Sequence, residues 1–290
     1  MGNSSQSMMK AKLIATSVFA ALTVSPAPTL FAQEAVTDSV PTHDTLTVNS
    51  RVLGEPRRIN VHTPPGYAAS HKERFPVLYM PDGGIDEDFP HVVNTVDSLI
   101  ALKRIRPVIV VGVPNTERRR DLTGPTRLAK DSAIAPHVGG SAAFRRLFRD
   151  ELIPAIDRRY RTTTERAIVG ESLAGLFVVE AFLREPGLFD HYVAFDPSLW
   201  WNQAALVDSA RQLIVSPTTP ARRAARRAYR RSIYFAASRD DIGNNTARLA
   251  AVLRAVAPLN ISWTYVARPD LTHGNIFRAL APGALAEALR

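Results

Sequence analysis

The stretch Arg166-Ala-Ile-Val-Gly-Glu-Ser-Leu-Ala-Gly175 decides the fold. A short apolar run passes through Gly170-Glu-Ser-Leu-Ala174 into a segment with helical spacing, the pattern of a strand that turns sharply into a helix with a serine at the turn. Such a turn is strained, so the positions two residues either side of the serine must be small to clear the neighbouring backbone. Gly170 and Ala174 meet that demand, with Gly175 following. Ser172 is therefore the candidate nucleophile. Taken alone, the fragment also reads as an ordinary strand-to-helix turn with serine as the helix N-cap, and the rest of the chain has to choose.

Working outward, the same alternation recurs along the chain. Asp44 to Ser50 and Arg57 to Thr63 alternate apolar and polar residues around Leu-Gly-Glu-Pro, which predicts an antiparallel hairpin. Short apolar runs then follow at Phe75 to Met80, Pro107 to Val113, Ala167 to Val169, His191 to Phe195, Ser232 to Ala237 and Ile261 to Val266. Each has the composition of a strand buried on both faces. Helix-period segments separate them, at His91 to Lys103, Ser141 to Arg159, Ala174 to Arg184, Asn245 to Val256 and Ala279 to Leu289. Strands alternating with helices predict an α/β fold with a mostly parallel, doubly wound sheet. A single catalytic domain over 33–290 is expected, with no internal repeat.

Ligands bind outside the carboxyl ends of strands in such a sheet, so the residues just after each apolar run carry the chemistry. They are Pro81-Asp-Gly-Gly84, Ser172, Asp196-Pro-Ser-Leu-Trp-Trp201, Ser238-Arg-Asp-Asp241 and Pro269-Asp-Leu-Thr-His273. Serine, acid and histidine thus occur in the chain order that α/β-hydrolases use. A serine hydroxyl needs a base within reach to become a nucleophile, and His273, on a loop after the last strand, is the candidate. The base needs an acid to hold its tautomer, and Asp241 is expected in that role, with Asp240 the alternative. Oxyanion donors are expected from the Leu173 amide and from Gly84, with Gly83 second, because glycine admits close backbone approach. Asp82 is expected to brace that turn. Trp200 is the candidate floor of an acyl or aryl pocket, its neighbour Trp201 going to the core. Arg118 and Arg120 are candidates to meet an anionic ester, although ion pairing with Asp121 is an equal alternative.

Composition removes other classes. The chain has 290 residues, no cysteine and seven histidines without metal-ligand spacing, so thiol chemistry is excluded and no metal or other cofactor is expected. The net charge of +9 is concentrated in Ala221-Arg-Arg-Ala-Ala-Arg-Arg-Ala-Tyr-Arg-Arg231, whose Arg pairs at four-residue spacing read as a solvated helix face. Only Tyr229 among them is aromatic and no nucleic-acid-binding motif accompanies them, so nucleic acid is not an expected partner. Lys10 and Lys12 precede an apolar run from Leu13 to Val24 and then Leu30-Phe-Ala-Gln33, which reads as a secretory signal over 1–32 cut after Ala32. A periplasmic or secreted protein without a stable membrane anchor is the expectation.

With those residues in place, the chain from about Thr45 onward resembles the Putative esterase family of α/β-hydrolases. That family includes enterochelin esterases, feruloyl and acetylxylan esterases, S-formylglutathione hydrolases and mycolyltransferases. The resemblance is carried by Val77-Leu-Tyr-Met-Pro-Asp-Gly83, Val110-Val-Gly-Val-Pro-Asn-Thr116 with Arg118-Arg-Arg-Asp-Leu122, Phe148-Arg-Asp-Glu-Leu-Ile-Pro154, Gly170-Glu-Ser-Leu-Ala-Gly175, Asp196-Pro-Ser-Leu-Trp-Trp201 and Thr272-His-Gly274. The Pro-Ser-Leu-Trp-Trp segment is most similar to the enterochelin-esterase branch, where Ser commonly stands in place of Asp196. In that branch the acid follows a glycine by three positions, and Ser238 in the glycine's place points to Asp241. The resemblance implies a serine carboxylic-ester hydrolase working through an acyl-enzyme on a small-molecule, glycan or siderophore ester. A siderophore tri-ester hydrolase, an acyltransferase and an inactive hydrolase-fold binding protein are the alternatives.

Overall fold

The computed structural model describes residues 38–69, 71–215 and 230–290. The expected signal segment and most of the Arg-Ala block lie outside the described residues. Strands β1 (Asp44–Ser50) and β2 (Glu55–His62) form the antiparallel hairpin. Gly54 turns it at a φ of 72°, a left-handed conformation that glycine adopts without steric penalty. Then come β3 (Phe75–Pro81), helix α1 (Phe89–Ala101), β4 (Ile109–Val113) and the short helices α2 (Arg118–Leu122) and α3 (Ala129–Ser132). Next are α4 (Ser141–Arg146), a π-helical turn (Leu147–Leu152) and α5 (Ile153–Arg159). The remainder is β5 (Thr162–Glu171), α6 (Ser172–Arg184), β6 (His191–Phe195), α7 (Trp201–Val215), β7 (Arg231–Ser238), α8 (Asn245–Val256), β8 (Ile261–Arg268) and α9 (His273–Ala288). The sheet order is β1-β2-β4-β3-β5-β6-β7-β8. Only the β1/β2 and β2/β4 pairings are antiparallel, as the alternation of elements predicts.

Side chains alternate across the sheet and both faces are buried. Val77, Tyr79, Ile168, Tyr192 and Phe235 pack towards α4 to α8 through Phe144, Phe148, Phe177, Val207 and Leu249. Leu78, Met80, Val169, Val193 and Phe195 pack on the other face with α1 and α9 through Phe89, Val92, Val96, Ile276 and Phe277. At about 25 cal/mol per Å2 of apolar surface buried, these two layers are the main force holding the strand ends in place. Among the described residues no helix is long and apolar enough to cross a membrane.

Two elements differ from the sequence expectation in ways that affect function. The last helix begins at His273 rather than Ala279. A reciprocal cap starts it, with the Thr272 side chain on the Asn275 amide and Asn275 Oδ1 accepting from the Thr272 N–H at 2.8 Å. His273 is thus the first helical residue and not a loop residue. The expected helix over Ser141 to Arg159 is interrupted by the π turn, which ends as Pro154, lacking an N–H, enters at the start of α5.

Candidate active site

Three neighbouring parallel strands, β3, β5 and β6, each end in a residue with left-handed backbone: Asp82 (φ 52°), Ser172 (φ 58°) and Asp196 (φ 41°). A non-glycine residue there is strained, and the strain persists only because the surroundings hold it. At Ser172 the holding contacts are explicit. A Cβ on Gly170 would lie 2.7 Å from the Ala174 carbonyl carbon and 2.8 Å from its Cβ. One on Gly175 would lie 3.1 Å from both Phe195 O and Pro197 Cα. The close approach is therefore divided between two glycines, and Ala174 is accommodated because Gly170 faces it. The Ser198 N–H donates to Ser172 O at 2.9 Å and ties the turn to the segment after β6.

Ser172 lines one cavity of about 260 Å3 together with Asp196, Pro197, Ser198, Trp200, Asp240, Asp241, Ile242 and His273. The imidazole of His273 is 3.0 Å through Nδ1 from Asp196 Oδ2, leaving Nε2 as the nitrogen free to face a serine hydroxyl. Asp196 is itself fixed: its Oδ1 accepts from the Ser238 N–H at 2.7 Å and its Oδ2 from the Ser238 hydroxyl at 2.5 Å. Its carboxylate is only 2% exposed. Burial pushes this carboxyl up, but the bonds from His273 and Ser238 outweigh burial and bring it below its ordinary value. The same Asp196 bond raises His273 above its ordinary 6.5. The Ser172 and Ser198 hydroxyl oxygens are 3.4 Å apart.

These contacts put on the His273 ring a carboxylate other than the ones expected from sequence. Asp241 does not meet the His273 ring; its carboxylate accepts from the Thr246 N–H at 3.1 Å and caps the start of α8. Asp240, the alternative, accepts the backbone N–H of His273 at 2.8 Å and so steadies the residue but not its imidazole. The physical reason is that Asp196 leaves β6, the strand between those of Ser172 and Ser238, and its left-handed backbone turns the carboxylate towards β7 and His273. The serine usual at that position offers no charge. An Asp at this position is a sequence signal that a carboxylate follows β6, though not of which way it turns.

The glycine donors are corrected too. The Gly84 N–H donates to Glu87 Oε2 at 2.7 Å and the Gly83 N–H to Val113 O at 3.1 Å. Gly83 is glycine because β4 passes so close that a Cβ would sit 2.2 Å from Val113 N. The requirement is strand packing, not ligand approach. Leu173, buried as the second residue of α6, keeps an amide of the helix's first turn, where no intrahelical acceptor exists.

Arg120 is taken up in an ion network: Nη2 with Glu55 at 2.7 Å, Nη1 with Glu117 at 2.9 Å and Nε with Asp121 at 2.7 Å. The fully buried Arg57 shares Asp121 at 2.5 Å. Arg118 holds Asp82 bidentately, both bonds at 2.7 Å, and Asn115 adds a third at 2.6 Å. Neither arginine lines the cavity of Ser172. Trp201 is buried with its indole N–H on Gly124 O at 2.7 Å, whereas Trp200 lines the cavity. Beside the serine, Glu171 has a buried Oε1 without a hydrogen-bond partner, and burial pushes its carboxyl up to about 7.

Comparison with known proteins agrees with this architecture. Over 149 residues the chain is 31% identical to the ferri-bacillibactin esterase BesA of Bacillus subtilis, a match covering 44% of this chain and 50% of that protein. It is 31% identical over 122 residues to the siderophore enterobactin esterase of Emericella nidulans, covering 37% of this chain and 40% of the relative. The chain thus spans half or less of the length of these two curated relatives. An IroE-like serine hydrolase from Shewanella oneidensis superposes with a TM-score of 0.75 at 24% identity, over 86% of this chain and 80% of that one. At that identity the likeness speaks to the α/β-hydrolase fold alone. The family model described as Putative esterase matches residues 50–264, most of the chain and every strand end discussed above except the last. By that match the chain belongs to the Putative esterase family.

Proposed function

We propose that this protein is a serine carboxylic-ester hydrolase in which Ser172 is the nucleophile, His273 the general base and Asp196 the acid. The observation that carries the proposal is the buried Asp196 carboxylate on His273 Nδ1 in the cavity that also exposes Ser172. In the first step the Ser172 oxygen adds to the ester carbonyl carbon while its proton passes to His273 Nε2. The imidazolium so formed is held by Asp196, which stays ionised. The carbonyl oxygen becomes an oxyanion, for which the Leu173 amide supplies one donor. Collapse expels the alcohol, protonated by His273, and leaves Ser172 acylated. Water then repeats the sequence in reverse roles and releases the acid.

The names of the relatives support a second, narrower reading, that the ester is a siderophore tri-ester. Export belongs to the proposal as well, supported by Lys10 and Lys12 ahead of the apolar run Leu13 to Val24. Mass determination of the protein recovered outside the cytoplasm, with Gln33 as the expected first residue, tests export. The activity is tested with p-nitrophenyl acetate, butyrate and octanoate beside Ser172→Ala and a catecholate tri-ester. Turnover that vanishes in Ser172→Ala is the expected result. Absence of turnover together with failure of a fluorophosphonate to label Ser172 would refute the hydrolase and favour a binding protein built on the same fold.

A further inference from the structure

The charge of the cavity bears on which esters it accepts, an inference that rests on the hydrolase reading above. Three carboxylates line it, those of Asp196, Asp240 and Asp241, and no lysine or arginine does. Asp196 has a potential counter-ion in His273. The other two do not: Asp240 accepts the neutral backbone N–H of His273, Asp241 the neutral backbone N–H of Thr246, and neither forms a salt bridge with a described residue. Burial pushes the Asp241 carboxyl up, the direction expected of a charge held without a cation. The arginines that sequence places nearby are turned elsewhere, Arg239 onto the Leu271 and Asp270 carbonyls and Arg118 onto Asp82. Two apolar groups line the same cavity, Trp200 and Ile242, the latter 62% exposed.

We infer that this cavity selects neutral or cationic esters with a small apolar substituent and rejects anionic ones, the iron-loaded form of a catecholate tri-ester among them, with Asp240 and Asp241 as the residues that set the preference. A carboxylate entering the cavity gives up water and meets two like charges, the half-buried Asp241 and the exposed Asp240, the repulsion from Asp241 being less screened than in solution. A neutral chain of the same length meets Trp200 and Ile242 at no such cost. The selection works through repulsion of the wrong substrate as much as through attraction of the right one.

The test compares kcat/KM for three p-nitrophenyl esters whose acyl chains match closely in length: butyrate, hemisuccinate and 3-ammoniopropanoate. The expected result is that hemisuccinate is at least about tenfold poorer than butyrate at low salt, the gap narrowing at high salt, while the cationic ester equals or exceeds butyrate. Asp240→Asn/Asp241→Asn, with Asp240→Asn alone as the fallback should the double variant not fold, is expected to raise the hemisuccinate-to-butyrate ratio. Reading the ratio cancels any general loss from the weakened hold on His273. Hemisuccinate turned over as well as butyrate, or a ratio unmoved in the variants, would overturn the inference and leave the hydrolase standing. No turnover of butyrate, with no fluorophosphonate labelling of Ser172, would overturn both.

Discussion

Replacing Asp196 by Asn changes one oxygen to an amide in a site where the carboxylate is 2% exposed and holds both His273 and Ser238. The amide oxygen is expected to keep the Ser238 N–H, which turns the amide nitrogen, a donor, towards His273 Nδ1. The imidazole then favours the tautomer with hydrogen on Nε2, which cannot take the proton of Ser172. Loss of the carboxylate also removes the attraction for the imidazolium. Two unit charges about 4 Å apart at an effective dielectric of about 20 interact by about 4 kcal/mol, close to three powers of ten in rate. With the tautomer penalty added, kcat for p-nitrophenyl butyrate is expected to fall by about 10³- to 10⁴-fold. KM should change much less. The near-isosteric change should leave the circular dichroism spectrum as it is in the unsubstituted protein. The comparison is Asp241→Asn, whose amide oxygen can still accept the Thr246 N–H, so stability should change little and kcat on the same neutral ester should fall by less than about tenfold. Asp241→Asn losing as much kcat as Asp196→Asn would refute the assignment.

Further outcomes follow from other contacts. Because Asp196, and to a lesser degree Glu171, raise His273, and the base must be neutral to act, the acidic limb of kcat/KM should have its midpoint above pH 6.5. Glu171, itself raised to about 7 and so only partly charged over this range, contributes a smaller share, and Glu171→Gln should move the limb slightly towards acid pH, a displacement read directly from the pH profile. Gly170→Ala places a methyl against the backbone of Ala174 and should cost about 1–3 kcal/mol or more in urea denaturation, with loss of fluorophosphonate labelling as the elbow distorts. Asp121→Ala leaves the guanidinium of Arg57, fully buried, without its closest partner. That should cost about 3–5 kcal/mol, seen as a lowered denaturation midpoint, with kcat of the folded fraction little altered.

The sequence by itself determined much of this protein. Small residues around Ser172 can serve only a tight strand-to-helix turn. Apolar runs separated by helix-period segments can bury themselves only in a covered parallel sheet. The chain order of strand ends then points to His273, and the Trp200–Trp201 pair predicts one ring in the core and one near the site without deciding which is which. What the linear chain could not decide was direction. Asp196, Asp240 and Asp241 all follow strand ends within reach of one histidine, and their separation depends on the left-handed turn at Asp196 and on which N–H each carboxylate meets first. The same holds for Gly83 and Gly84, whose amides are taken by Val113 and Glu87, for Arg118, held by the distant Asp82, and for the Glu55 contact of Arg120, whose bond to the adjacent Asp121 sequence already offered. Hydrogen-bond partners and ion pairs are chosen among groups brought together only by the packed sheet. Tertiary structure alone could therefore decide which carboxylate meets the histidine ring and which charges line the cavity.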